Sequence, residues 1–251
     1  MGLFQPLMRG LFAPLLGPLS GGGGGAFSPL TLFTGGIVGA WYDPSDLTTL
    51  FQDSAGTVPV TADGDPVGMM RDKSGNGNHL AQATTASKPA YKTSGGRHWI
   101  EGDGVDDWLR AAFTITQPWE RISAIRQISW TALDRIFGMV SGDGRLIQRT
   151  ATPTIGIFDG TGAIDAGTLP LSTNGVVTER HANTTSRLAI NDGAYVTGTT
   201  GTSVPGGVEL FGNSNPANAR CYGFIMRAGT MSDATITSTR AYLAAKAGVT
   251  L

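Results

Sequence analysis

The sequence predicts an all-β protein: an antiparallel jelly-roll β-sandwich with a short C-terminal helix and an extended N-terminal arm. Three observations carry that prediction. Only 15% of the 251 residues are charged, well below the usual quarter, while glycine occurs 37 times. Short apolar or alternating runs recur between Gly, Asn, Asp and Pro turns, the spacing of a sandwich or barrel. The one capped helical pattern comes last, with Ser232 as N-cap, Ile236, Thr239, Tyr242, Leu243 and Ala244 on one side, and Gly248 as terminator.

Residues 1–25 read as an apolar docking arm and linker, and 26–251 as the folded domain. Gly2-Leu3-Phe4-Gln5-Pro6-Leu7 returns eight positions later as Gly10-Leu11-Phe12-Ala13-Pro14-Leu15, and Arg9 is the only charge in the first forty residues. Proline spaced this densely excludes a continuous helix or a central strand. It also interrupts the apolar run that a secretory signal or a membrane span requires. Pro6 stands where a myristoylation signal has Ser or Thr. Exposed Leu and Phe need a cover, so Leu3, Phe4, Leu7, Leu11, Phe12 and Leu15 are expected to dock onto a partner protein. Gly21–Gly25 supply the joint, and 26–38 pack onto the domain.

Within the domain, Asp43-Pro44-Ser45-Asp46 is a capped turn and Asn76-Gly77 a tight turn. Strands are expected at 122–129, 136–140, 146–149, 154–158, 176–180, 186–190, 208–211 and 222–226, with alternation from Arg97 to Leu109. Asn191-Asp192-Gly193 reads as a hairpin turn.

A net charge of −1 with scattered arginines leaves no basic footprint for nucleic acid. The lone Cys221 allows no internal disulfide and no cysteine-based zinc site, and its apolar run marks it as a core residue in a chain that folds in a reducing cytoplasm.

The order Asp43-Pro44-Ser45-Asp46-Leu47, Asp72–His79, Asp103-Gly104-Val105-Asp106-Asp107, Leu210–Ser214, Tyr222-Gly223-Phe224, Met231–Ala234 and Arg240–Leu243 resembles the laminin-G/concanavalin A-like jelly-roll domains of phage virion proteins, over about residues 40–248. The resemblance implies two curved antiparallel sheets in a subunit of a virion, where such domains bind glycans or other virion proteins. Combined with the arm, it gives the leading expectation: a non-enzymatic bacteriophage structural protein, made in the host cytoplasm, serving host attachment as a trimeric tail tip or tail fibre. One alternative is a capsid decoration or spike protein. The other is a glycoside hydrolase on the same fold.

That last alternative rests on Glu101, Asp103 and Asp106, which approximate the Glu-x-Asp-x-x-Glu strand of retaining β-glucanases. The final position is one methylene short and the setting is a Gly-rich turn, so a structural role is favoured and no residue is assigned to catalysis. Asp72, Ser74, Asn76 and Gly77 mimic the start of a calcium loop but lack its closing Glu, since Ala83 stands there. No cofactor is expected, though calcium bound by Asp and Asn of adjacent loops stays open. His79, His98 and His181 lack metal-ligand spacing, and no nucleophile elbow occurs. Of five tryptophans, Trp119 has the most loop-like setting. Trp119 with Gln117 and Glu120, and separately Asn213 with Asn215, are the loop groups expected to bind glycan.

Overall fold

The computed structural model describes residues 27–251. Strands follow in chain order as β1 (Gly39–Tyr42), β2 (Leu50–Phe51), β3 (Met69–Met70), β4 (Leu80–Ala81), β5 (Ala90–Ser94), β6 (Arg97–Asp103), β7 (Leu109–Ala112) and β8 (Trp119–Gln127). Then come β9 (Arg135–Gly138), β10 (Arg145–Gln148), β11 (Thr154–Phe158), β12 (Ala163–Thr168), β13 (Asn174–His181), β14 (Ser186–Ile190), β15 (Val196–Gly198), β16 (Gly207–Leu210) and β17 (Asn218–Ala228). One antiparallel sheet runs β15-β14-β13-β8-β17-β6-β5, with β1 added to the second half of β17. The other runs β12-β11-β10-β9-β16-β7-β4-β3-β2. The expected all-β sandwich with a C-terminal helix is the observed fold.

The inner faces meet in one core, where Ile125, Val177, Leu188 and Phe224 of the first sheet pack with Leu109, Phe137, Leu146, Ile157 and Leu210 of the second. The central strands of the first sheet are apolar on both faces. Ile122, Ala124, Val176 and Ile225 point outward and are buried by Leu32 and Phe33 of a 3-10 turn (Pro29–Phe33) and by helix α1 (Asp233–Ala247). Ser232 Oγ accepts from Thr235 N at the start of α1, and Gly248 (φ 66°) ends it with its N–H on Ala244 O and Ala245 O. Ile236 and Leu243 fill the seam, each contributing about 2 kcal/mol.

One charged cluster is buried between the sheets. Glu179 of β13 accepts from Arg121 of β8 at 2.9 Å (Nε) and 2.6 Å (Nη2), and both are 0% exposed. Arg121 also donates to Gly144 O from the second sheet's loops and lies 4.3 Å over the Phe137 ring. His181 stands 3.4 Å from Glu179 and 3.5 Å from Asp159, under the stacked Trp119 ring. Burial alone would raise the Glu179 pKa, but Arg121 and His181 override it and hold the carboxyl below its usual range.

Breaking such a pair strands a buried charge. Glu179→Gln should cost about 3–5 kcal/mol in urea unfolding. Arg121→Met combined with Glu179→Leu should recover most of it.

Candidate functional site

Of the two loop groups expected to bind glycan, the one built on Trp119 is closed to a ligand. Trp119 is 0% exposed, because β8 begins three residues earlier than its apolar run suggests and alternation turns the ring into the core. Glu120 points the other way and is also buried, accepting from Arg180 Nε and from Met231 N at the approach to α1. Neither can meet a ligand, which corrects the expectation for both. The half-buried Gln117 donates its amide to Asp159 and to Gly201 O. Asn213 and Asn215 are exposed on a loop beside Arg135. Leu3, Phe4, Leu7, Leu11, Phe12 and Leu15 lie outside the described residues.

The acidic motifs fold as turns. Asp72 accepts from Trp41 N, Ser74 N and Asn78 N, while the Asn76 and Asn78 amides hold Gly39 O. Glu101 accepts from Trp99 Nε1 and Arg220 Nε, and Asp103 from Val105 N and Asp106 N. Oxygens of Asp103, Asp106 and Asp107 lie within 4.8 Å of one another, close enough to share a cation. Burial, then the Asp103 charge, pushes Asp107 up to about 6. Burial likewise pushes the Cys221 thiol up to about 12, an inert core residue as expected.

The better-built site is the outer face of the second sheet, across which, among the described residues, no helix lies. Val208 and Leu210 enter the core, so Glu209 between them points outward. Arg110 of β7 and Gly138 of β9 flank it in register. Continuing the β9–β10 register puts Arg145 beside Gly138, and Phe158 follows on β11. One row therefore reads Arg110, Glu209, Gly138, Arg145, Phe158. A Cβ on Gly138 would fall 2.9 Å from Glu209 Oε2, so the missing side chain gives the carboxylate its place. Glu209 also accepts from Asn213 N at 3.0 Å and is only 3% exposed.

Arg145 pairs with Asp143 and lies 5.3 Å over the Phe158 ring. Burial and then the nearby Arg145 charge lower the Arg135 pKa, against the opposing pull of Glu209 and Asp143. Two arginines and two carboxylates thus share one field. At the other end Trp108, half-buried, carries the Arg110 guanidinium 4.9 Å over its ring. With Ala81, Gln82 and Ala112 the pair lines a hollow of about 440 Å³. The arrangement offers an aromatic plane, fixed hydrogen-bond donors and a carboxylate shielded from water. Alternation at Val208-Glu209-Leu210 was the signal available in sequence; Asp143, in a loop, gave none.

No protein-family model and no curated protein matches this sequence. Solved structures do resemble the fold. A variant GH54 α-L-arabinofuranosidase soaked with 4-nitrophenyl α-L-arabinofuranoside aligns at 17% identity with a TM-score of 0.63, covering 88% of this chain and 65% of that one. The same comparison with an arabinofuranosidase complexed with arabinofuranosyl-α-1,2-xylobiose gives 15% identity and 0.57. Trypanosoma rangeli sialidase aligns at 10% identity with a TM-score of 0.54, covering 87% of this chain and 34% of the enzyme. The chain therefore spans about two thirds of the arabinofuranosidases and one third of the sialidase. These neighbours are glycosidases, and the expectation of a non-enzymatic virion attachment protein is corrected on that finding. At such identities the likeness shows the β-sandwich fold, one shared with carbohydrate-active proteins.

Trp119→Ala should lower stability by about 3–5 kcal/mol in chemical unfolding, the cost of emptying a core aromatic site. Asp107 gives a pH test. Its folded pKa of about 6 exceeds the ordinary 3.8, so between those values the folded chain keeps a proton that the unfolded chain releases. Stability should fall as pH rises through that window. Asp107→Asn should match the parent near pH 3.5 and exceed it at pH 8 by about 1–2 kcal/mol, the full shift being discounted for screening at the loop.

Proposed function

We propose that the chain is a glycoside hydrolase whose substrate lies across the outer face of the second sheet. Glu209 carries the reading: a carboxylate almost sealed from water, on a sheet face otherwise open, beside arginines and an aromatic plane. In a glycosidase one carboxyl protonates the leaving oxygen while a second attacks the sugar or activates water. Glu209 is assigned one role and Asp143, which shares the arginine field, the other. Trp108 stacks a sugar ring and Arg110 donates to its hydroxyls. The arabinofuranosidase and sialidase neighbours support a glycosidic substrate, with an α-L-arabinofuranoside the first to try.

The test is release of 4-nitrophenol from a panel of aryl glycosides that includes the α-L-arabinofuranoside. Turnover should drop about 10²–10⁴-fold in Glu209→Gln and in Asp143→Asn, with unfolding curves unchanged. Hydrolysis that survives both substitutions would overturn the assignment. No turnover by the parent on any glycoside of the panel would overturn the hydrolase reading itself.

A further inference from the structure

On the opposite side of the molecule, beside the C-terminal end of α1, two arginines meet without a counter-ion. Arg97 opens β6 and Arg126 stands near the end of β8, and both line a hollow of about 490 Å³ with Ser172, Thr173, Asn174 and Asn191. No aspartate or glutamate lines it. Neither arginine forms an ion pair or a side-chain hydrogen bond among the described residues, and Arg126 Nε is shut off from solvent with no acceptor. Residues 1–26 contain no Asp or Glu, and Gly248, Val249 and Thr250 complete the lining of the hollow.

The obvious internal use of these cations is to cap the helix, whose C-terminal carbonyls attract positive charge. Three of the last four carbonyls already have donors. Gly248 N serves Ala244 O and Ala245 O, Val249 N serves Ala244 O, and the Asn174 amide serves Ala247 O. Gly248 explains instead how Arg97 reaches the hollow. A Cβ there would fall 2.3 Å from Arg97 Nε, so only glycine lets the guanidinium lie against the chain. Arg220, paired across β17 with Arg126, adds no unmatched charge because Glu101 neutralises it.

Each guanidinium brings five N–H donors in a fixed fork, suited to planar or tetrahedral oxyanions. Two guanidinium charges on one hollow with no carboxylate paired to either favour an anion that bridges them. From this we infer that the hollow is an oxyanion site, taking a sulfate or phosphate group. That group is either free or an ester on a saccharide. Arg97 and Arg126 grip the oxygens and the Ser172, Thr173 and Asn191 side chains complete the ring. The site is separate from the Glu209 face and stands whether or not the chain hydrolyses glycosides.

Titration calorimetry of the full chain with sodium sulfate, at ionic strength fixed with chloride, is the direct test. Arg97→Gln and Arg126→Gln should each weaken sulfate binding at least tenfold, and Arg126→Lys should weaken it too because the fork is lost. Arg97 is exposed, so Arg97→Gln keeps the fold even if Arg126→Gln does not. A sulfated tetrasaccharide that binds tenfold tighter than sulfate, with its desulfated form inert, assigns the site to an esterified glycan. Equal affinities assign it to the free ion. Absence of sulfate binding by the parent, or binding that is equal in parent and Arg97→Gln, overturns the site.

Discussion

Three central strands, β8, β13 and β17, are apolar on both faces, and the architecture follows from that. A sheet with two greasy faces must be covered twice. One cover is the second sheet; the other is α1 with the 3-10 turn ahead of β1. Burial of Ile122, Ala124, Val176 and Ile225 under the helix therefore determines which side of the sandwich is closed. The second sheet carries no such double face. Arg110, Glu209, Arg145 and Phe158 stand where the first sheet has aliphatic side chains, and no aliphatic row calls for a lid. The open face is the one left to meet a ligand.

The two faces also differ in electrostatics. Inside the sandwich, Arg121 and Glu179 satisfy each other through a bidentate contact, and His181 and Asp159 extend the cluster toward the Gln117 amide. That network ties β8 and β13 to the loops of the second sheet and is shut between the sheets, where Glu179 and Arg121 are 0% exposed. On the outer face, Glu209 has one backbone donor and a neighbour without a side chain. It keeps acceptor capacity for something from outside. The contrast separates a carboxylate that holds the fold from one available for chemistry.

Much of this was legible in the chain. Period-2 runs located the central strands, and Ser232 with Gly248 bounded the helix, because caps and alternation are local signals. The edge strands β12 and β15 were not, being short and half-exposed with no apolar pattern. Trp119 is the instructive failure. A Pro before it and a Glu after it suggest a loop, yet pairing with His181 and Ala228 draws the segment into the sheet. Pairing is a long-range fact that no window of sequence contains. Glu209 could have been found from its apolar neighbours, whereas its partners Arg145, Asp143 and Trp108 lie tens of residues away and are joined only by strand order.

The most direct measurement is a crystal structure of the Glu209→Gln protein soaked with an arabinofuranosyl oligosaccharide. The sugar should lie on the outer face of the second sheet, a ring against Trp108 and the glycosidic oxygen within hydrogen-bond reach of residue 209. Sugar bound instead at the Asp103–Asp107 turn, or along the first sheet beside α1, would contradict it.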